Sequence, residues 1–343
     1  MVIKAGYLIR QFGQRLQPGL VRHLGRPVCV LFHGVEPHTD DARVQRNHHE
    51  TAAFREIAKS LKENFQVLPL SALDDVLKRP ERHGRSVFLM ADDGYANNLT
   101  ITADILAEFG LPWTLFVSTH HIDSAQPNPI FLARLFFHYA PASRYTIPHL
   151  PPAFELGARA GREAIAALAI ARLKTLSAPC AGEAVAAMRR ALEPHGLAGL
   201  LARFASERFL SWPQIAALKQ RGVEIGAHAH VHWPMHGAQS GAYLQEQARL
   251  PRARIEAEIG PCRYFAYPFG NKSDICRDAW HAVRDAGYDY AFTTLSGSLD
   301  ASTNRYLLPR YGLQSREPRL ASLLPLLRAG NPRLVDWQKQ IAD

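Results

Sequence analysis

The apolar run Val87-Phe88-Leu89-Met90-Ala91 ends in Asp92-Asp93-Gly94-Tyr95, and this junction constrains the fold more than any other stretch of the chain. An apolar run of this length that stops at a turn reads as a strand buried on both faces, as in a sheet covered by helices. Two adjacent carboxylates at the end of such a strand are costly. Burial and like charge both oppose their ionisation unless a partner or a metal ion compensates them. More than a hundred residues later, His228-Ala229-His230-Val231-His232 offers imidazole nitrogens. Together the two segments can hold one divalent metal ion and leave one carboxylate as a base.

The flanking sequence alternates strand and helix signals, so the class is α/β with parallel pairing and right-handed crossovers. Val28 to Phe32 reads as a short buried strand, and Thr51 to Lys62 as a helix with Phe54, Ile57, Ala58 and Leu61 inward. Phe65 to Leu70 reads as a strand, and Ser71-Ala72-Leu73-Asp74 as the capped start of a short helix. Asn98 to Phe109 is a helix ended by Gly110, and Thr114 to Val117 another strand. From about Ile130 to Arg208 the rhythm breaks into Ala-, Leu- and Arg-rich text, helical in Gly161 to Leu176 and Ala181 to Leu192, with turns around Pro148, Pro151 and Pro152. This reads as a helical insertion packed on the rim, not a separate catalytic domain. The rhythm returns with a helix at Trp212 to Lys219 and strands at Val223 to Gly226, Tyr264 to Tyr267 and Tyr290 to Thr294, with Ala279 to Ala286 helical between the last two. In such sheets the site lies at the carboxyl ends of the strands.

Composition narrows the class. With 343 residues and 47% hydrophobic content, the chain has ample material for a core. Cys29, Cys180, Cys262 and Cys276 are far apart and form no CxxC, which argues against a disulfide scaffold and a zinc knuckle; reduced thiols in the cytoplasm are the simplest reading. Forty Lys and Arg against 31 Asp and Glu give a net charge of +9, concentrated in residues 1–26. There Lys4, Arg10, Arg15, Arg22 and Arg26 accompany Leu8, Phe12, Leu16, Leu20 and Leu24 at i, i+4 spacing, interrupted by Pro18. This basic amphipathic segment reads first as a helix packed on residues 27–343, the single main domain, and second as a peripheral contact with anionic membrane at the inner face. No run has the length of a membrane span and no secretory signal is evident. Nucleic-acid binding is disfavoured, because no basic and aromatic patch accompanies the charge.

The motifs resemble those of the polysaccharide deacetylase family, carbohydrate esterase family 4, with the NodB-homology fold. The first motif is matched by Asp92-Asp93-Gly94-Tyr95, the second by His228 and His232, and the third by Tyr267-Pro268-Phe269-Gly270; Leu210-Ser211-Trp212 and Glu224-Ile225-Gly226-Ala227 also fit. The resemblance spans roughly residues 28–315 and implies an irregular (β/α) barrel with the helical insertion. It implies a metal-dependent hydrolase that removes acetyl from an N-acetylated sugar of a glycan or glycoconjugate and releases acetate. Asp93, His228 and His232 would hold the ion, with zinc favoured by nitrogen ligands. Asp92 would be the base, and a backbone N–H near Tyr95 would face the oxyanion.

The chain departs from the family pattern at several positions. Met90-Ala91 replaces Thr-Phe before the aspartates, and Ala229 removes a hydroxyl and its hydrogen bond. Ala266 stands where many members have an Arg that holds the base, a place Arg310 of Leu308-Pro309-Arg310-Tyr311 can take. No histidine follows His281, so the late general-acid histidine is missing. A permuted branch of the family supplies it from the first strand, and Val30-Leu31-Phe32-His33-Gly34 has that form, which assigns the acid to His33.

Competing readings stand beside these roles. Asp92-Asp93-Gly94 alone is also a turn with a helix cap, His33 also a satisfied strand-end histidine, and Arg310 also a structural ion-pair partner. His230 and His236 read as pocket or surface residues in preference to extra ligands. His48-His49 and His120-His121 read as loop residues, with His120 able to line the cleft. Tyr267, Phe269 and Trp233 read as a sugar-stacking wall or as core. Hydrolysis of another C–N bond, such as a formamide or cyclic imide, or a non-catalytic glycan-binding role, remains the alternative.

Overall fold

The computed structural model describes residues 26–151, 153–157, 161–313, 337–338 and 341. The basic amphipathic segment expected over residues 1–26 therefore lies almost wholly outside the described residues. The described residues contain twelve strands: β1 (Val28–Phe32), β2 (Gly34–Glu36), β3 (His48–Glu50), β4 (Gln66–Val67), β5 (Ser86–Ala91), β6 (Thr114–Val117), β7 (Ser143–Tyr145), β8 (Phe154–Leu156), β9 (Glu224–Ala227), β10 (Tyr264–Ala266), β11 (Tyr290–Phe292) and β12 (Tyr311–Gly312). Eight of them form one parallel sheet in the order β11-β10-β9-β6-β5-β1-β12, with β4 also on β5. The curl is bridged at its open side by one stretch of chain. Leu308 pairs with Phe292 of β11, and three residues on, Tyr311 pairs with Val30 of β1. The fold is an irregular (β/α) barrel.

Alternation along each strand divides the core. Val87, Leu89 and Ala91 of β5, with Val28, Val30 and Phe32 of β1, face an outer layer that includes Phe54, Ile57, Ala58 and Leu61 of the helix Thr51–Asn64. Phe88 and Met90 point the other way and join Cys29, Phe116, Tyr264, Ala266, Tyr290 and Phe292 inside the curl. Room there is tight: a Cβ at Gly226 would lie 2.5 Å from the Phe116 ring. Both faces of β5 are apolar because both are covered.

The helical insertion has its own apolar cluster. Phe131, Leu135, Phe136 and Phe137 of the helix Pro129–Tyr139 pack against Ala166, Ala169 and Leu173 of Arg162–Leu173 and Ala184, Met188 and Leu192 of Ala178–Leu192. The turn-rich piece between them contains a small antiparallel hairpin, β7 with β8. Asn128 caps the first helix through its side-chain oxygen, and Pro129 opens it.

Several local expectations need correction. The expected cap at Ser71 is absent: Leu70–Ala72 is a 3₁₀ turn, and the helix Leu73–Lys78 starts after Ala72 without a side-chain cap. The expected strand Phe65 to Leu70 shrinks to Gln66–Val67, because it pairs only with the start of β5, at Ser86 and Val87, while β6 pairs with the end of β5, at Met90 and Ala91. The helix expected from Asn98 begins with a π turn, Asn98–Thr102, before α geometry resumes at Ala103–Glu108. Among the described residues no helix is long and apolar enough to cross a membrane.

Candidate metal and catalytic centre

The acids and two of the histidines of the centre stand just beyond the carboxyl ends of sheet strands. Asp92 and Asp93 follow β5, His228 follows β9 and His33 follows β1, while Arg310 immediately precedes β12. The turn after β5 is tightly specified. Asp93 has φ 75° and Gly94 φ 83°, and a Cβ at Gly94 would lie 2.9 Å from Val117 Cγ1. The chain then bridges to the segment before the helix Trp212–Gln220: Tyr95 opposes Phe209, Leu210 N–H donates to Gly94 O at 2.8 Å, and Ala96 N–H to Arg208 O at 2.8 Å. Ala229 and Phe269 also adopt left-handed backbone, with φ 59° and 60°. Each such residue costs of order 1–3 kcal/mol, so three non-glycine instances around one cleft mark a geometry held by its surroundings.

Asp92 and Asp93 differ in what compensates them. Arg310 grips Asp92 in a fork, Nη1 to Oδ1 at 2.7 Å and Nη2 to Oδ2 at 2.8 Å, while its Nε–H donates to Thr293 O at 2.8 Å. Arg310 is 0% exposed and Asp92 2%. Burial works to raise the Asp92 pKa, but Arg310 and His228 outweigh it and hold the carboxyl below its ordinary range.

Asp93 faces the imidazoles instead. Its Oδ1 lies 3.0 Å from His232 Nε2 and 3.5 Å from His228 Nε2, yet makes no hydrogen bond of normal geometry. Burial again opposes ionisation, and the two histidines outweigh it, so Asp93 sits well below the usual carboxylate range. One ligand atom from each of Asp93, His228 and His232 lies within 4.8 Å of the others, and all three residues are buried. A buried, orphaned carboxylate oxygen converging with two imidazole nitrogens fits a divalent ion.

The outer contacts differ between the histidines. His228 Nδ1–H donates to Ala266 O at 2.7 Å, which makes Nε2 the ring atom that would ligate an ion beside Asp93. Ala266, where a long basic side chain was missed in the sequence, thus contributes its carbonyl. His232 Nδ1 lies 3.2 Å from the Asn128 amide nitrogen, so its tautomer is not set for ligation by that partner.

These residues line one cleft of about 300 Å³ with His33, Asn47, Tyr95, Arg134, Lys174 and Phe269. Burial lowers the His33 pKa, with Asp93 and Asp92 pulling the other way, so its ring is neutral at rest. Tyr95 is buried, stacked on Phe209 at 5.7 Å, and burial with the Asp93 charge pushes its hydroxyl well above the ordinary range. Of the other aromatic candidates, Tyr267 is core and Trp233 joins the insertion cluster; Phe269 faces the cleft.

The extra histidines stand apart from the ligand cluster. His230 Nδ1 meets Thr119 Oγ1 at 2.8 Å, and His236 Nε2–H donates to Lys174 O at 2.9 Å. His48 and His49, expected in a loop, form a buried strand, and His120 and His121 lie in the helix Thr119–Ser124. The physical reason for the first is a partner from the insertion: His48 Nε2 meets Glu207 Oε1 at 2.9 Å, and its Nδ1 meets Asn97 Nδ2 at 3.0 Å. Sequence reasoning missed Glu207, Arg134 and Lys174 because nothing local separates them from surface charges. Asn128-Pro129 did carry a legible helix-start signal.

A family model for polysaccharide deacetylase matches residues 79–291, more than half of the chain. The match contains Asp92, Asp93, His228 and His232, while His33 and Arg310 lie outside it. Among solved structures, the Streptococcus pyogenes deacetylase PplD in complex with acetate is 13% identical, with a TM-score of 0.58 over 88% of this chain and 98% of that one. A de-N-acetylase from Aggregatibacter actinomycetemcomitans is 14% identical, with a TM-score of 0.55 over 88% and 99%. IcaB from Ammonifex degensii is 13% identical, with a TM-score of 0.50 over 93% and 98%. At such identities the likeness is one of fold. No curated protein matches the chain by sequence.

Proposed function

The chain belongs to the polysaccharide deacetylase family, and on that premise we propose that it is a zinc-dependent hydrolase that removes the acetyl group from an N-acetylated sugar of a glycan or glycoconjugate. The observation that carries the reading is the division of labour between the two aspartates: Asp92 is held by Arg310 while Asp93 converges on His228 and His232 in the same cleft. A divalent ion held by Asp93, His228 and His232 would supply Lewis-acid activation of water and of the acetyl carbonyl.

The chain's own residues account for the proton movements. Asp92, kept ionised and oriented by both Nη groups of Arg310, accepts a proton from the water that adds to the carbonyl carbon. A backbone N–H near Tyr95 is the donor toward the oxygen that becomes anionic. His33, neutral at rest, takes a proton from solvent as that negative charge builds and delivers it to the nitrogen as the C–N bond breaks, and Asp92 returns its proton to solvent as acetate leaves. The products are acetate and a free amino sugar. Tyr95 takes part through its place in the cleft, since its hydroxyl stays protonated.

Acetate release from a panel of N-acetylated sugars, with and without chelator, tests the proposal. Release that stops on chelation and returns with zinc supports it. No release from any substrate by zinc-loaded protein leaves a glycan-binding relative as the better reading, and formate release from an N-formylated sugar run alongside, without acetate from the N-acetylated ones, redirects it to another C–N bond.

A further inference from the structure

The cleft contains two cations whose charge nothing in the centre uses. Arg134 comes from the helix Pro129–Tyr139 and Lys174 caps the helix Arg162–Leu173, so both belong to the helical insertion. Both are half-buried and line the cleft with Asp92, Asp93, His228 and His232. Among the described residues, neither lies within 4.0 Å of a carboxylate. Arg134 Nη1–H donates to Val44 O at 3.2 Å, and its Nε is buried without a hydrogen-bond partner. Lys174 Nζ sits 4.0 Å from the centroid of the Phe269 ring.

The nearby acids stop short of ion-pair contact with either cation. Asp92 is matched by Arg310, and Asp93 faces the two histidines. Glu207 Oε1 meets His48 Nε2 at 2.9 Å while its Oε2 is buried without a hydrogen-bond partner and its charge acts on Arg134 from beyond contact; Asp274 accepts the Asn271 N–H at 2.9 Å and acts on Lys174 in the same way. Burial lowers the pKa of both cations below its ordinary value, outweighing the opposing pull of Glu207 on Arg134 and of Asp274 on Lys174. A half-buried cation without an anion is costly, and an incoming anion recovers that cost. Phe269 links this region to the centre: its ring carries Lys174 on one contact and packs 4.8 Å from His232 on the other. One aromatic ring therefore separates Lys174 from a ligand histidine.

We infer that the cleft takes an N-acetylated sugar bearing an anionic oxygen group, phosphate or carboxylate, which Arg134 and Lys174 hold while the acetamide faces Asp92 and the Asp93, His228 and His232 cluster. Arg134 offers a planar fork suited to either anion, and Lys174 a point charge. This deepens the de-N-acetylase reading and rests on it for the identity of the sugar's acetamide.

The test compares a neutral methyl glycoside of N-acetylglucosamine with N-acetylglucosamine 1-phosphate and N-acetylmuramic acid, whose separate responses distinguish phosphate from carboxylate. Acetate release is measured on zinc-loaded full-length protein, and binding on the Asp92→Asn protein. At least one anionic sugar should exceed the neutral one by about tenfold or more in both, the scale of one charge-assisted hydrogen bond. That ratio should collapse in Arg134→Gln and in Lys174→Gln, recover in part in Arg134→Lys, and shrink at high salt. Because Lys174 ends a helix, its variant keeps the test open if Arg134→Gln misfolds. A ratio near one, or a ratio that both substitutions leave intact, overturns the inference. Anion preference in binding without acetate from any sugar sinks the de-N-acetylase reading alone, whereas acetate release without anion preference sinks the anion site alone.

Discussion

Arg310 and Asp92 are 218 residues apart in sequence and form a buried ion pair. Replacing Arg310 by Met removes two charge-assisted hydrogen bonds, at 2.7 and 2.8 Å, and a third to Thr293 O at 2.8 Å, from a side chain that is 0% exposed. The variant leaves Asp92, itself 2% exposed, without its cation. Breaking a buried pair from one side costs about 3–5 kcal/mol, most of it the desolvated charge left behind. Asp92→Asn leaves the buried Arg310 cation without its anion in turn, but keeps an oxygen that accepts from it, and should cost about 3 kcal/mol. In the double variant the orphaned charge is absent, so the sum of the single effects should overshoot by about 2–3 kcal/mol. Urea unfolding of the four proteins with chelator present, compared at constant m, reads these differences. A loss below about 1 kcal/mol for Arg310→Met, or additivity within about 0.5 kcal/mol, would refute the claim that this pair stabilises the centre.

The other predictions concern ligation, acid catalysis and pH. His228→Ala and His232→Ala should each abolish stoichiometric zinc, and Asp93→Asn should weaken it; Asp92→Asn should keep both zinc and fold and lose most turnover. Metal analysis of the purified variants checks this, and equal zinc loss from the two aspartate variants would mean that their roles are shared. His33→Ala should leave zinc content near normal and slow amide hydrolysis by roughly 10²–10⁴-fold, with a much smaller effect on an activated ester, whose leaving group needs less protonation. A near wild-type amide rate would move the acid elsewhere. Stability should fall on mild acidification, because burial holds His49 at a pKa of about 4 and His121 at about 3. The unfolded chain takes up those protons first, so stability is complete above an ordinary histidine pKa of about 6.5 and is lost below it, by about 2 kcal/mol for each residue at pH 5. Unfolding at pH 7.5 and 5.0 should show this loss and His49→Gln should reduce it; a wild type equally stable at both would contradict the assignment.

Local chemistry explains what was legible along the chain. The helix Thr51–Asn64 buries Phe54, Ile57, Ala58 and Leu61 because their spacing places them on one face, and β1 and β6 have the expected bounds because short apolar runs between turns have few other conformations. The Asp92-Asp93-Gly94 turn was readable for a similar reason: left-handed backbone at Gly94 is cheap only for glycine. Strand ends were less legible, as β4 and β10 show, since a strand extends only as far as a neighbour pairs with it.

By itself, then, the sequence determined the α/β class, the apolar strands and the residue types able to bind an ion, since these follow from periodicity and side-chain chemistry within a few neighbours. The tertiary structure alone decided which charges meet. It paired Arg310 with Asp92, buried His48 against Glu207, drew the Ala266 carbonyl to His228, and left Arg134 and Lys174 facing the cleft without a carboxylate. Such choices depend on strand order and on where the insertion folds back, and an ion pair's strength depends on burial and on partners remote in sequence, neither of which a linear pattern encodes.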